Sequence, residues 1–177
     1  MKSKKCKVCK ESFAPWTTTQ RVCSPVCALD DARAQQARQY KQKTLSMKRQ
    51  FNEKDITYWK KRATKACHTY IRARDGNFCI SCGENRPNNQ IHAGHFRTRG
   101  AASQLQYHPF NIFSQCSRCN LQLSGNLIEY RKNLVNKVGQ SMVDYIENEN
   151  SVYKWTIEDY QGVEWWYKVL LRSLNTP

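Results

Sequence analysis

Apolar positions in this chain fall at regular intervals, and the interval changes along it. Between Leu29 and about Gln50 they are sparse, and Ala, Gln, Lys and Arg fill a stretch with neither Gly nor Pro. Those residue types favour helix, so the pattern predicts a long solvated helix. It opens on Asp30 and Asp31 and closes on Lys48 and Arg49, the order a helix dipole favours. A connector, a DNA-tracking arm and half of a dimer contact would each look like this. Ile56, Trp59, Ala63, Ala66 or Cys67, Tyr70 and Ile71 recur at spacings of three and four, which predicts an amphipathic helix over 56–74, stopped by Asp75-Gly76-Asn77.

The period then shortens. A polar turn (84–89), a strand (90–96), a basic loop (97–108), a second short strand (110–113) and a helix begun at Cys116 follow in order. Helical spacing returns with Leu127, Tyr130, Leu134 and Val138, with Gly139 as a stop, and again in SMVDYIENE. A last helix carries Ile157, Tyr160, Val163, Tyr167, Leu170 and Leu174, with Thr156 and Asp159 placed to cap it. Trp165 and Trp166 widen its apolar face, either into ordinary core or toward a second subunit. The fold class expected is α+β and mostly helical.

Cysteine spacing changes this picture. Cys79, Cys82, Cys116 and Cys119 form two CxxC pairs, the ligand type and count of a closed structural zinc site. A second four-cysteine pattern, C-x2-C-x13-C-x3-C, comprises Cys6, Cys9, Cys23 and Cys27. Two structural zinc ions per chain are therefore expected. The ninth cysteine, Cys67, lies within a helical pattern and reads as a small buried hydrophobe. With no apolar leader after MKSKKCKVCK and no apolar run of membrane length, reduced thiols in a soluble cytoplasmic protein are the expectation. The chain divides into an N-terminal knuckle (1–28), a basic helical region (29–75), a zinc-bound core (76–138) and a C-terminal helical region (139–177).

Charge then narrows the function. With 29 Lys and Arg against 14 Asp and Glu, the net charge is +15. Such a balance implies a polyanionic partner, and phosphate backbones are the commonest. The sulfur ligands leave His92, His95, Asn111 and Asn120 free for chemistry in the segment between and beside the two CxxC pairs. Hydrolysing a phosphodiester needs an activated water and stabilisation of developing charge; a neutral imidazole supplies the first and a hard divalent cation the second. Arg97, Arg99 and Arg118 stand beside this segment, with Lys60, Lys61 and Arg72 farther out, as candidate phosphate contacts. His68, off the apolar stripe of its helix, reads as a surface or phosphate-contacting residue, and His108 as structural or phosphate-contacting.

The interval from Asn111 to Asn120, with a CxxC knuckle just before the latter, resembles the HNH or His-metal-finger endonucleases, which use a ββα unit. Phage endonuclease VII is similar in placing an Asn directly after the last cysteine of a four-cysteine zinc site. The strings CSPVC, YWKKRA, YIRARD, CISCG, AGHFRT, NIFSQC and SGN together resemble the NinG or Rap family of lambdoid phages, recombination endonucleases acting on Holliday junctions and other branched DNA. That resemblance implies His95 as general base, Asn111 as its orienting partner and Asn120 as a ligand of catalytic Mg²⁺ or Mn²⁺. Here Gly94, not an acid, precedes His95, and His92 stands where relatives tend to carry Asp. Alternation puts His92 and Gly94 on one strand face, so His92 is the expected second ligand, with Mn²⁺ preferred because imidazole suits Mg²⁺ poorly. A strand histidine with no ligand role is the other reading of His92. A two-fold homodimer would match the symmetry of a four-way junction. The alternative function is a zinc-stabilised, non-catalytic DNA-binding accessory protein.

Overall fold

A computed structural model describes residues 2–87 and 90–174 of the chain. Asn88 and Asn89 of the expected polar turn, and residues 175–177 of the expected C-terminal helical region, lie outside the described residues. Contacts divide the chain into two units, Met1–Glu53 and Lys54–Pro177, so the helical middle is shared between them.

In the first unit β1 (Lys4–Lys5) and β2 (Ser12–Phe13) pair antiparallel. Helix α1 (Pro25–Glu53) begins at Pro25 rather than Leu29. Ser24 caps it, its Oγ accepting from the Cys27 N–H at 3.2 Å, and Pro25 takes the first position, where a missing N–H is harmless. Asp31 therefore lies beyond the first turn, where it pairs with Lys7 at 2.8 Å. Cys27 is the one buried residue of α1, so the expected solvated helix is observed.

The second unit starts with α2 (Ile56–Asp75), capped by Asp55, whose Oδ1 accepts from the Thr57 N–H at 2.8 Å, and ended by Gly76 at φ 65°. Strands β3 (Ile91–His95) and β4 (Ile112–Cys116) form an antiparallel pair in which His95 opposes Ile112 and Ile91 opposes Cys116. The second strand begins at Ile112, not Phe110, because residues 108–111 close a turn: the Asn111 N–H donates to the His108 carbonyl at 3.0 Å. Asn111 thus precedes the strand. Nor does a regular helix start at Cys116. A five-residue π-helical turn (Arg118–Gln122) follows, then Ser124, Gly125 and Asn126 at positive φ, before α3 (Leu127–Val138). Helices α4 (Gln140–Asn148) and α5 (Ile157–Leu174) complete the unit. The Thr156 and Asp159 cap is reciprocal: the Thr156 N–H donates to Asp159 Oδ2 at 2.8 Å, and the Asp159 N–H donates to Thr156 Oγ1 at 3.2 Å.

Among the described residues the fold is thus mostly helical α+β with two small two-stranded sheets. Side-chain alternation assigns each face of the β3–β4 pair to a different partner. Ala93 and Ile112 face α2 and α5, packing with Ala63, Cys67, Ile71, Tyr107, Tyr160 and Tyr167. Phe113, with Phe96 just beyond β3, meets Tyr130 and Leu134 of α3 and Val143 and Ile146 of α4. Trp165 and Trp166 stay exposed on α5 while Tyr160 and Tyr167 enter the core. Among the described residues no helix is long and apolar enough to cross a membrane.

Candidate active site and metal centres

Two sulfur clusters form as the spacing predicts. The ligand atoms of Cys6, Cys9, Cys23 and Cys27 lie within 4.8 Å of one another, and so do those of Cys79, Cys82, Cys116 and Cys119. A tetrahedron with Zn–S bonds of about 2.3 Å separates its sulfurs by roughly 3.8 Å. The observed separations of 3.5 Å (Cys9 to Cys23), 3.6 Å (Cys23 to Cys27) and 3.9 Å (Cys82 to Cys116) suit that geometry. Both clusters could hold structural zinc. Around the second, Asn126 Nδ2 points at Cys119 Sγ at 3.6 Å, and the fully buried Gln115 donates to the Gly125 carbonyl and to Ser81 Oγ. The SGN string is therefore part of the cysteine cluster's support, with Gly and Asn suited to its left-handed backbone. Cys67 is fully buried against α5, its thiol pushed up to about 12 by that burial.

His95 ends β3 on the face covered by α2. Its Nε2 lies 3.0 Å from the Gln106 carbonyl, an acceptor only, so Nε2 carries the proton and Nδ1 keeps the lone pair. Burial lowers its pKa below the ordinary histidine value; the Gln106 contact opposes this and Arg99 adds to it. This is a neutral imidazole held in one tautomer.

Asn111 does not touch the His95 ring. It is fully buried and binds backbone instead: its Oδ1 accepts from the Arg97 N–H at 2.8 Å, and its Nδ2 donates to the Arg97 and Leu105 carbonyls at 3.0 Å each. Those contacts tie the end of β3 to the loop that presents Gln106 to His95. Asn111 thus meets the main chain on either side of this region and not the imidazole. Arg74 and Asp75, which sequence reasoning passed over as a helix end, hold the same region from α2. Arg74 donates to the Pro109 and Ile112 carbonyls at 2.9 Å each and stacks 4.4 Å from the Phe113 ring centre, while Asp75 accepts from the Ser114 N–H at 2.9 Å. The basic residues and acid of YIRARD were the available signal.

His92 shares its face with Gly94, but Gln115 fills the space beside Gly94: a Cβ there would meet its Oε1 at 2.2 Å. The His92 ring instead meets Ser117 Oγ at 2.9 Å, and Ser117 donates to the Gln90 carbonyl at 3.1 Å. Asn120 sits in the π-helical turn, half-buried, and its side chain has no hydrogen-bond partner among the described residues. Of carboxylate and imidazole ligands, no third group of three gathers among the described residues. A divalent cation here would rest on one imidazole and one amide, completed by water and phosphate oxygens.

The basic residues separate into two kinds. Arg97 donates to the Ile146, Glu147 and Glu149 carbonyls at 3.2, 2.9 and 2.8 Å and to Asn150 Oδ1 at 3.0 Å, so its guanidinium clamps the end of α4 and is not offered to a phosphate. Arg72, Arg99 and Arg118 are exposed. Lys60, Lys61, Lys65 and Arg99, with Thr57 and Thr64, line an open cleft of about 410 Å³. His68 lies half-buried on α2 with its ring centre 6.0 Å from that of His95. Burial, then His95, Arg99, Arg72 and His92, push its pKa down to about 4. His108 is structural in placement: its Nδ1 accepts from the Phe110 N–H at 3.3 Å.

Similarity to other proteins covers nearly the whole chain. A family model described as "Bacteriophage Lambda NinG protein" matches residues 1–176. Proteins named "Protein ninG" are 37% identical in Escherichia phage 933W, over 97% of this chain and 94% of that protein, and 36% identical in Escherichia phage lambda, over 94% and 90%. The Salmonella phage P22 protein is 35% identical over the same shares, 94% and 90%. No solved structure matches.

Proposed function

The chain belongs to the NinG family of phage proteins, and from that premise and the site at His95 we propose that it is a cation-dependent endonuclease cutting branched DNA. The observation that carries the reading is His95: a half-buried imidazole, its pKa lowered by desolvation, with Nε2–H committed to the Gln106 carbonyl and Nδ1 left as an acceptor. Neutral imidazole with a free lone pair is the form that takes a proton from water. In the proposed step Nδ1 receives that proton, the water oxygen bonds to phosphorus, and the bond from phosphorus to the departing sugar oxygen breaks. A divalent cation held by His92, Asn120 and phosphate oxygens would supply charge stabilisation to the departing oxygen. Asn111 keeps the Gln106 carbonyl and the His95 backbone in register, while Arg99, Arg118, Lys60, Lys61 and Arg72 supply contacts to phosphate that carry no sequence information. Shape selection in a four-way junction would suit a two-fold homodimer with one site per subunit.

One observation favours a second reading, a zinc-stabilised accessory protein that binds DNA without cutting it: among the described residues no group of three imidazole or carboxylate ligands gathers at the site. Incubating the protein with an end-labelled synthetic four-way junction and Mg²⁺, Mn²⁺, Co²⁺ or Ni²⁺ separates the two. Cutting by the wild type and not by His95→Ala, with binding retained in both, is the expected result. Binding without cutting under all four cations would leave the accessory reading.

A further inference from the structure

We infer that His68 belongs to the same site and donates a ring N–H to a non-bridging oxygen of the phosphodiester beside His95; this rests on the endonuclease reading and names a residue that contacts its substrate. Helix α2 covers the face of the β3–β4 pair on which His95 stands, and His68 is the α2 residue whose ring meets the His95 ring, edge to face at 66°. A core histidine satisfies its nitrogens within the protein. His68 is half-buried and has no hydrogen-bond partner among the described residues.

The residues that share its face of α2 identify the ligand. Lys61, Lys65, His68 and Arg72 follow at spacings of four, three and four, so they form one stripe, about 16 Å long at 1.5 Å per residue. The apolar stripe of Ala63, Cys67 and Ile71 faces the core. Lys61 and Lys65 line the open cleft with Arg99, which also lies close enough to His68 and His95 to lower both pKa values. Among the described residues none of Lys61, Lys65 and Arg99 forms an ion pair with an acid. A track of cations with two imidazoles set within it fits one nucleic-acid strand: lysines and arginines hold the flanking phosphates, and the imidazoles meet the phosphate that reacts. A neutral His68 contributes a directed donor there without adding a further positive charge next to His95.

Two measurements test this. In protein labelled with ¹⁵N at its histidines, adding the four-way junction should shift the ring signals of His68 and His95 together and leave His108 unmoved. A still His68 signal while His95 or α2 amides move would overturn the inference, and so would absence of DNA binding. In the cleavage assay with the cation that supports the fastest wild-type cutting, His68→Ala should cut ~100-fold more slowly, the order seen when one transition-state donor is removed. Its junction Kd should stay within about threefold of wild type, because Lys61, Lys65 and Arg99 carry the affinity. His68→Gln, which restores an N–H donor, should recover part of the rate, and circular dichroism checks that both variants fold. Wild-type cutting by His68→Ala would overturn the inference with the endonuclease reading intact. If the wild type binds without cutting, that reading fails and the ring signals still decide whether His68 meets phosphate.

Discussion

Asn111 holds both backbone polar groups of Arg97, accepting from its N–H at 2.8 Å and donating to its carbonyl at 3.0 Å. The middle asparagine of this site therefore acts on the main chain, not on the imidazole. Asn111→Asp leaves two carbonyls without their donor and buries a carboxylate. Loss of a buried hydrogen-bonding partner costs about 1–3 kcal/mol, so thermal melting should fall by several degrees and cleavage more than tenfold. A variant that melts like the wild type would contradict this placement.

Arg97 and Arg99, two residues apart, should behave oppositely. Arg97→Ala removes the donor to three carbonyls at the end of α4. It should lower the melting temperature and leave the salt dependence of junction binding unchanged. Arg99→Ala should melt like the wild type, weaken binding and flatten the slope of log K against log salt by about one phosphate contact.

Acid sensitivity follows from the environment of His95. Its pKa lies below the ordinary value of about 6.5 because of burial, opposed by the Gln106 contact and aided by Arg99. A base with a depressed pKa is still neutral at pH 6.5, so the acid limb of kcat/KM should fall below that pH and not at it. Arg99→Ala removes a positive neighbour and should move the limb upward. The rate is measured under single-turnover conditions, with zinc content checked at each pH.

Metal content is directly countable. Each chain should release two equivalents of zinc to a colorimetric chelator after thiol modification. Cys116→Ser should reduce this to one. It should also unfold the β3–β4 region, where Cys79, Ile91, Cys116 and Cys119 pack together. Cys23→Ser should remove one equivalent and leave the melting of the second unit unchanged.

Cation choice tests His92. With imidazole and amide donors, Mn²⁺ should support faster cleavage than Mg²⁺, and His92→Asp should narrow the difference by supplying a hard oxygen ligand. Equal rates with both cations in the wild type would remove His92 from the ligand set.

Much of this molecule was readable from local pattern. The two cysteine clusters, the amphipathic faces of α2 and α5, the Thr156 cap and the Gly139 stop depend on neighbours in sequence or on spacings that only a few geometries satisfy. The net charge of +15 is likewise a property of composition. The sequence also marked His95 and Asn111 as residues left over once sulfur had taken the zinc positions.

What each of those residues does was decided by tertiary contact. Arg97 and Arg99 look alike in sequence, but α4 packs where Arg97 can reach its terminal carbonyls, and Arg99 remains in the open cleft. Alternation put His92 and Gly94 on one strand face, but only the register of β3 against β4 set Gln115 opposite His92 and its side chain beside Gly94. His68 and His95 are 27 positions apart and follow different periods, and they meet because α2 covers one particular face of the strand pair. Periodicity states which side of an element turns inward. Which element lies opposite, and therefore which polar groups are desolvated together, depends on how the faces pack.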